Sequence, residues 1–163
     1  MKTFGIPAIL VALLSTGLLA GVYYAYSTSV MLGLGHSDDR TFVEVFNRIN
    51  VDIVNPMFMF SFLGSVLFTG IAGALYLRSD QRAVLLWVGV AFALNLLSLI
   101  ISAAFNIPLN DKMAKVGDPA TANFAALRKD FESAWTTWNI VRGLINTAAF
   151  GALGWALVQA GRG

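Results

Sequence analysis

Arg142 is the residue with the most chemistry to offer, because it stands about two turns inside an apolar run covering 135–160. A guanidinium at membrane depth costs about 3 kcal/mol or more unless it finds a partner, snorkels to the interface, or caps helix carbonyls. Its neighbours at helical spacing are informative. Drawn at about 100° per residue, Trp135, Trp138, Asn139, Arg142 and Asn146 share one arc of roughly 100°. Phe124, Arg128 and Phe131 extend that arc. The polar residues outside it, Thr136, Thr137 and Thr147, can bond their own backbone. In the run before it, Asn95, Ser98, Ser102 and Asn106 form a second stripe that ends in Asn106-Ile-Pro-Leu-Asn110. Asn50 lies beside Phe46 on an otherwise apolar face, and Tyr23, Tyr26 and Ser27 share an arc on the first apolar run.

Taken singly, each has a plain structural use. Tryptophans favour the membrane interface, and asparagines tie helices together. Their convergence toward one end predicts a polar-aromatic pocket lined by Tyr23, Tyr26, Asn50, Asn106, Asn110, Trp135, Trp138, Asn139 and Arg142. Indoles there could stack on a flat ring, and a cation with carboxamides could hold an oxyanion.

Other chemistries have little to work with. The chain has no cysteine, which removes thiol nucleophiles, disulfide exchange and iron–sulfur ligation. Its one histidine, His36, excludes bis-histidine haem ligation within one chain. A lone loop histidine is most simply solvated. As a single axial or metal ligand it remains the only candidate, and no carboxylate cluster at ligand spacing supports it. Glu44 and Asp52 fall on the polar side of their segment, where they are expected to be solvated or paired with Arg48.

The elements that must position these groups follow from composition. The 163 residues are 57% hydrophobic and 12% charged, about half the charge of a soluble domain. Four apolar runs, about 4–33, 54–77, 83–105 and 135–160, are each long enough to span a bilayer. The fold class predicted is an all-α integral membrane protein: one four-span domain over 1–163, an up-down-up-down transmembrane bundle. Amphipathic helical extensions precede spans 2 and 4. A soluble enzyme, a nucleic-acid binder and a disulfide scaffold are all excluded, and a net charge of +2 gives no phosphate-tracking surface.

Several local features are expected along the way. The N-terminus looks somewhat like a signal peptide, but its apolar character runs on past Ala20-Gly21, so an uncleaved first span is preferred. An amphipathic segment covers 38–53: Thr41-Phe-Val-Glu44 reads as a capping box within it, and Phe42, Val45, Phe46, Ile49 and Ile53 recur on one face. That segment runs on toward the second span, with Pro56 as a kink or local break. Gly17/Gly21 and Gly70/Ala74 would let helices approach. The third helix stops at Asn106, a polar loop covers 111–119, and an amphipathic helix from about Ala120 leads into the fourth run.

Both termini and the Arg78–Arg82 turn fall on one side, with a net charge of +3, and the longer segments on the other, with −2. Cations alone count four against six, which argues the other way. The loop-side cations sit in long helical segments and weigh less. The expected location is a bacterial inner membrane with both termini cytoplasmic.

The chain resembles the anthrone oxygenase-like family of small four-span membrane proteins along nearly its whole length. The marks are Gly21-Val-Tyr-Tyr-Ala-Tyr26 with Val30-Met-Leu-Gly-Leu34, Phe46-Asn-Arg-Ile-Asn50 with Asn55-Pro56, Asn106-Ile-Pro-Leu-Asn110 and Trp135-Thr-Thr-Trp-Asn-Ile-Val-Arg142. The last two are the most specific. Leu32 stands where members usually have proline. The resemblance implies oxidation of a polyketide anthrone to an anthraquinone with O2, although many bacterial members have no assigned activity.

On that implication, Arg142, Asn139 and Asn50 would hold the developing oxyanion, and Tyr23 or Tyr26 would relay the proton. Trp135, Trp138, Asn106, Asn110 and Tyr26 would hold the substrate. An anthrone enolate can reduce O2 directly, so O2 is the co-substrate and no cofactor is required, with a single-histidine haem or metal left open. Partners would be membrane lipids and a hydrophobic aromatic or lipid-like molecule, with a homo-oligomer left open. The substrate would enter from the lipid. The main alternative is a non-enzymatic protein whose pocket holds a lipid, quinone or pigment. A small transporter subunit would need an intramembrane carboxylate, and the spans have none.

Overall fold

Apolar residues repeat without interruption along most of this chain, and in hydrocarbon the backbone must satisfy its own hydrogen bonds, so the result is helix almost throughout. The structure, a computed structural model, describes residues 2–118 and 120–162. No strand occurs among the described residues. Three helices are long and apolar enough to cross a membrane: Phe4–Gly35, Arg82–Ala114 and Phe124–Arg162. A bent pair, Pro56–Phe62 and Gly64–Tyr76, meets at 46° and supplies a fourth if it counts as one span. These are the helices of an integral membrane protein.

The first long helix comprises α1 (Lys2–Ala25), a π turn (Tyr26–Val30) and α2 (Met31–Gly35). Then follow α3 (Asp39–Asp52), α4 (Pro56–Phe62) and α5 (Gly64–Tyr76). The next long helix is α6 (Arg82–Ile101), a second π turn (Ser102–Asn106) and α7 (Ile107–Ala114); α8 (Phe124–Arg162) closes the chain.

Six local expectations change. The start of α3 lies earlier than the Thr41–Glu44 box, because Asp38 is the cap and its carboxylate accepts the Thr41 N–H at 3.0 Å. Glu44 pairs with Arg40 at 2.7 Å, not with Arg48. α3 does not run into the second span: it ends at Asp52, and Asn55 starts a new helix by accepting the N–H groups of Met57 and Phe58, with Pro56 in the first turn where its missing N–H costs nothing. The third run does not stop at Asn106. The Ile107 N–H reaches back five residues to Ser102 O, and this wider turn admits Pro108 and carries the helix on to Ala114. The polar loop is shorter accordingly, and its expected end at Pro119 lies outside the described residues. α8 begins at Phe124, slightly later than expected from Ala120.

Two apolar cores hold these elements. One joins Ile9 and Ala12 of α1, Tyr76 of α5, Val84 and Val88 of α6, and Leu153 and Ala156 of α8. The other joins Met31, Phe42, Phe46, Met113, Phe131 and Trp135. Gly17 is one place where a helix must come close, since a Cβ there would meet the Phe150 ring at 2.8 Å; Gly21 faces open space. Between the cores runs a buried polar ladder. Asn95 Nδ2 donates to Thr16 Oγ1 and Thr69 Oγ1, Asn146 Nδ2 donates to Asn95 Oδ1, and Ser98 Oγ donates to Asn146 Oδ1.

Candidate functional site

Next to the second core lies a cavity of about 140 Å³. It is reached from four directions in the chain: Tyr23 and Tyr26 of the first helix, Asn50 of α3, Ser102, Asn106 and Asn110 around the second π turn, and Trp135, Asn139 and Arg142 of α8. Eight of the nine residues named from sequence line it. Trp138 does not. It sits at the edge of its arc, half-buried, and stacks on Phe105 with ring centroids 3.8 Å apart and planes 9° from parallel. Apolar walls come from Phe46, Phe58, Met59 and Phe62. Neither these nor Ser102 stood out as site residues in the sequence, although Ser102 lay on the polar stripe of its helix.

Arg142 is 6% exposed and meets no carboxylate. Nη1 donates to Ser102 Oγ and Nη2 to Asn139 Oδ1, both at 3.0 Å. Ser102 can accept because its own hydroxyl donates to Ser98 O one turn back. The guanidinium carbon lies 4.3 Å from the Tyr23 ring centroid and 5.8 Å from that of Trp135, so two aromatic faces stand where a counter-ion would be expected. Asn139 Nδ2 is in turn held by Tyr23 O and Ser27 Oγ at 2.8 Å each.

The other carboxamides are equally committed. Trp135 Nε1 donates to Asn110 Oδ1, and Asn110 Nδ2 donates to Asn50 Oδ1, both at 2.7 Å. Asn106 Nδ2 donates to Trp135 O at 3.2 Å. Tyr26 tilts against Trp135 at 5.7 Å. Three buried atoms on the cavity residues are left without a partner: Arg142 Nε, the Tyr23 hydroxyl and Asn106 Oδ1. Buried polar atoms are rarely left so. The set offers a cationic donor, a hydroxyl and an acceptor, and so suits a ligand oxygen that accepts from one side and donates to the other.

This arrangement depends on both π turns. Each brings a residue of the cavity wall, Tyr26 in one and Ser102 with Asn106 in the other. Such turns gather at functional sites in other proteins. The profile of the family described as anthrone oxygenase matches residues 57–152. The chain belongs to the anthrone oxygenase family. The match takes in Ser102, Asn106, Asn110, Trp135, Asn139 and Arg142, while Tyr23, Tyr26 and Asn50 fall before it. No curated protein and no solved structure matches the chain.

His36 is exposed in the cap after α2 and does not line the cavity. Among the described residues no group of three or more His, Cys, Asp or Glu could hold a metal ion.

Proposed function

We propose that this member of the anthrone oxygenase family is a membrane-embedded oxygenase that oxidises a flat aromatic, polyketide-type substrate with O2 in the cavity beneath Arg142. The observation that carries the proposal is a buried guanidinium whose Nε has no hydrogen-bond partner and which meets no carboxylate. A cation so placed stabilises an anion that arrives or develops beside it, in surroundings where its field is weakly screened.

An anthrone has an acidic methylene between two rings and a carbonyl opposite. Loss of one methylene proton gives an enolate whose negative charge sits on the former carbonyl oxygen, beside Arg142 Nε. The enolate adds O2 at carbon and takes up a proton, giving a hydroperoxide. Loss of water from the hydroperoxide leaves the second carbonyl. One substrate and one O2 thus become one quinone and one water, and no other electron donor is needed. The Tyr23 hydroxyl, buried and unpartnered in the cavity, is the group that passes protons. Phe46 and Trp135 meet edge to face, ring centroids 5.1 Å apart and planes 80° apart, and form an aromatic corner of the wall. Asn139 and Ser102 aim the guanidinium, and Asn50 with Asn110 fixes the indole.

In the same reading the helices pack as an up-down-up-down bundle in a bacterial inner membrane with both termini cytoplasmic. Packing of Ile9, Tyr76, Val84 and Ala160 in one core supports the up-down-up-down order alone, because these come from the chain's start, its end and the turn between α5 and α6. No cofactor is assigned.

One observation favours a second reading. No Asp, Glu or His lines the cavity, so no strong base is at hand, and a binding protein for a quinone or pigment would need none. Oxygen uptake with an anthrone separates the two. Arg142→Ala is expected to lower turnover by about 100-fold or more, the usual scale for losing an oxyanion partner. Full turnover in that variant would refute the site, and binding without turnover in the parent would leave the second reading.

A further inference from the structure

Asn106 lines the cavity, yet the reaction above gives it no task. It is 1% exposed, and its Oδ1 meets no donor. Which end of the amide is left over is settled by the other end. The Trp135 carbonyl can only accept, and it takes a hydrogen of Asn106 Nδ2 at 3.2 Å, so the unpartnered atom is the oxygen. The backbone is held as well, since Asn106 closes the second π turn.

No protein donor reaches that oxygen. The neighbouring donors point elsewhere: Trp135 Nε1 to Asn110 Oδ1, Asn110 Nδ2 to Asn50 Oδ1, and Asn139 Nδ2 to Tyr23 O and Ser27 Oγ. Arg142 Nε and the Tyr23 hydroxyl line the same cavity and are themselves without partners. An anthrone with no other substituent would leave Asn106 as it is. Its one oxygen only accepts, and that oxygen belongs beside Arg142 Nε. Covering a buried acceptor with a ligand that brings no donor costs affinity.

We propose that Asn106 is a specificity-determining residue, which selects a substrate carrying a phenolic hydroxyl that is not next to its carbonyl. Asn106 Oδ1 accepts from that hydroxyl while Arg142 Nε donates to the carbonyl oxygen. The position on the ring matters because a hydroxyl beside a ring carbonyl turns its hydrogen onto that carbonyl and has none to offer the protein. On a three-ring quinone each outer ring has only two kinds of position, next to a carbonyl or one atom removed. The second kind alone supplies the missing donor. This rests on the substrate-cavity reading above, but it is a statement about binding and needs no turnover.

The test uses the full chain in phosphatidylcholine nanodiscs, with empty nanodiscs subtracted to remove partitioning. Calorimetry at about pH 5.5, where the phenolic probes keep their protons, compares anthraquinone, 1-hydroxyanthraquinone and 2-hydroxyanthraquinone. The 2-hydroxy compound is expected to bind about tenfold tighter than anthraquinone, the scale of satisfying one buried acceptor. The 1-hydroxy compound, bonded to itself, is expected to stay within about twofold of anthraquinone. In Asn106→Leu the ratio of 2-hydroxy to unsubstituted affinity is expected to fall to near one. The comparison in the parent decides the matter even if that variant does not fold. Equal affinity for all three, as a water kept on Asn106 Oδ1 would produce, overturns the inference. So does a preference that survives Asn106→Leu, or binding of none. Oxygen uptake with an anthrone is read separately. A 2-hydroxy preference without uptake would remove the oxygenase and keep the role of Asn106, and uptake without that preference would do the opposite.

Discussion

Arg128 and Arg142 sit on the same helix, both largely withdrawn from their surroundings, and the fold treats them in opposite ways. Arg128 is saturated. Its Nε donates to Glu132 at 2.7 Å, Nη1 donates to Asp39 and to Ser37 O, Nη2 donates to Gly35 O, and its guanidinium lies 4.7 Å from the Phe42 ring. Two carboxylates and two carbonyls neutralise and cap it, and it thereby ties α8 to the end of α2 and the start of α3. Arg142 has two neutral oxygens, two rings and an Nε with no partner. A charge that only held helices together would gain from a carboxylate, as Arg128 does. Leaving Arg142 without one keeps it available for an anion from outside. On the proposed function, the contrast separates an arginine used for structure from one used for a ligand.

The largest effects come from removing each in turn. Arg142→Met keeps the stem and deletes the charge. Turnover with an anthrone is expected to fall by about 100-fold, with thermal stability unchanged or raised, because an uncompensated buried charge disappears. Arg128→Ala should do the reverse. It strands the carbonyls of Gly35 and Ser37 and two carboxylates, and is expected to cost about 2 kcal/mol or more in stability while the folded fraction keeps its activity. Melting curves and oxygen uptake on the same preparations measure both. If both variants lost stability equally and activity equally, the distinction between the two arginines would not stand.

Arg142 could be singled out from sequence because hydrocarbon penalises charge whatever the tertiary structure, and the common arc on its helix follows from periodicity alone. The same reasoning placed Tyr23, Asn50, Asn106, Asn110, Trp135 and Asn139 near it. What periodicity could not supply is where a helix departs from its own period. The π turns at Tyr26 and Ser102 and the break at Asn55 depend on a single bond register or a single cap. Trp138 shows the complementary error. An arc of roughly 100° is wide enough to face two neighbours at once, and only packing decides that this indole meets Phe105 and not the cavity. Arg128 looked like an extension of the polar stripe, and its four partners come from segments 89 to 93 residues away or from the next turn.

A smaller effect is expected in the polar ladder, which resembles the Arg128 site in being satisfied. Asn95 Nδ2 and Oδ1 are both bonded, to Thr16, Thr69 and Asn146. Asn95→Leu is expected to cost about 1 kcal/mol, in line with hydrogen bonds between membrane helices, as read from thermal unfolding. Oxygen uptake with an anthrone should stay within about twofold, because the ladder touches Arg142 through Ser98 and Ser102 and not directly. A loss as large as that of Arg142→Met would make the ladder part of the ligand site.

The smallest effect concerns the cap that starts α3, next to the Arg128 junction. The Thr41 hydroxyl donates to Asp38 Oδ2 at 2.6 Å and the Thr41 N–H donates to Oδ1 at 3.0 Å. The hydroxyl first and the backbone N–H second hold the Asp38 carboxyl below its ordinary value. A carboxyl whose value is lowered by folding contributes stability that is complete above its unfolded value and vanishes as pH falls through the lower, folded one. Asp38→Ala should therefore melt below the parent at neutral pH, and the gap should close on acidification below about pH 4. A gap that widened in acid would show that Asp38 acts through something other than its ionised cap. Ligand binding beneath Arg142 should not follow this transition, since the cap supports the junction of α3 with α8 and no part of it reaches the cavity.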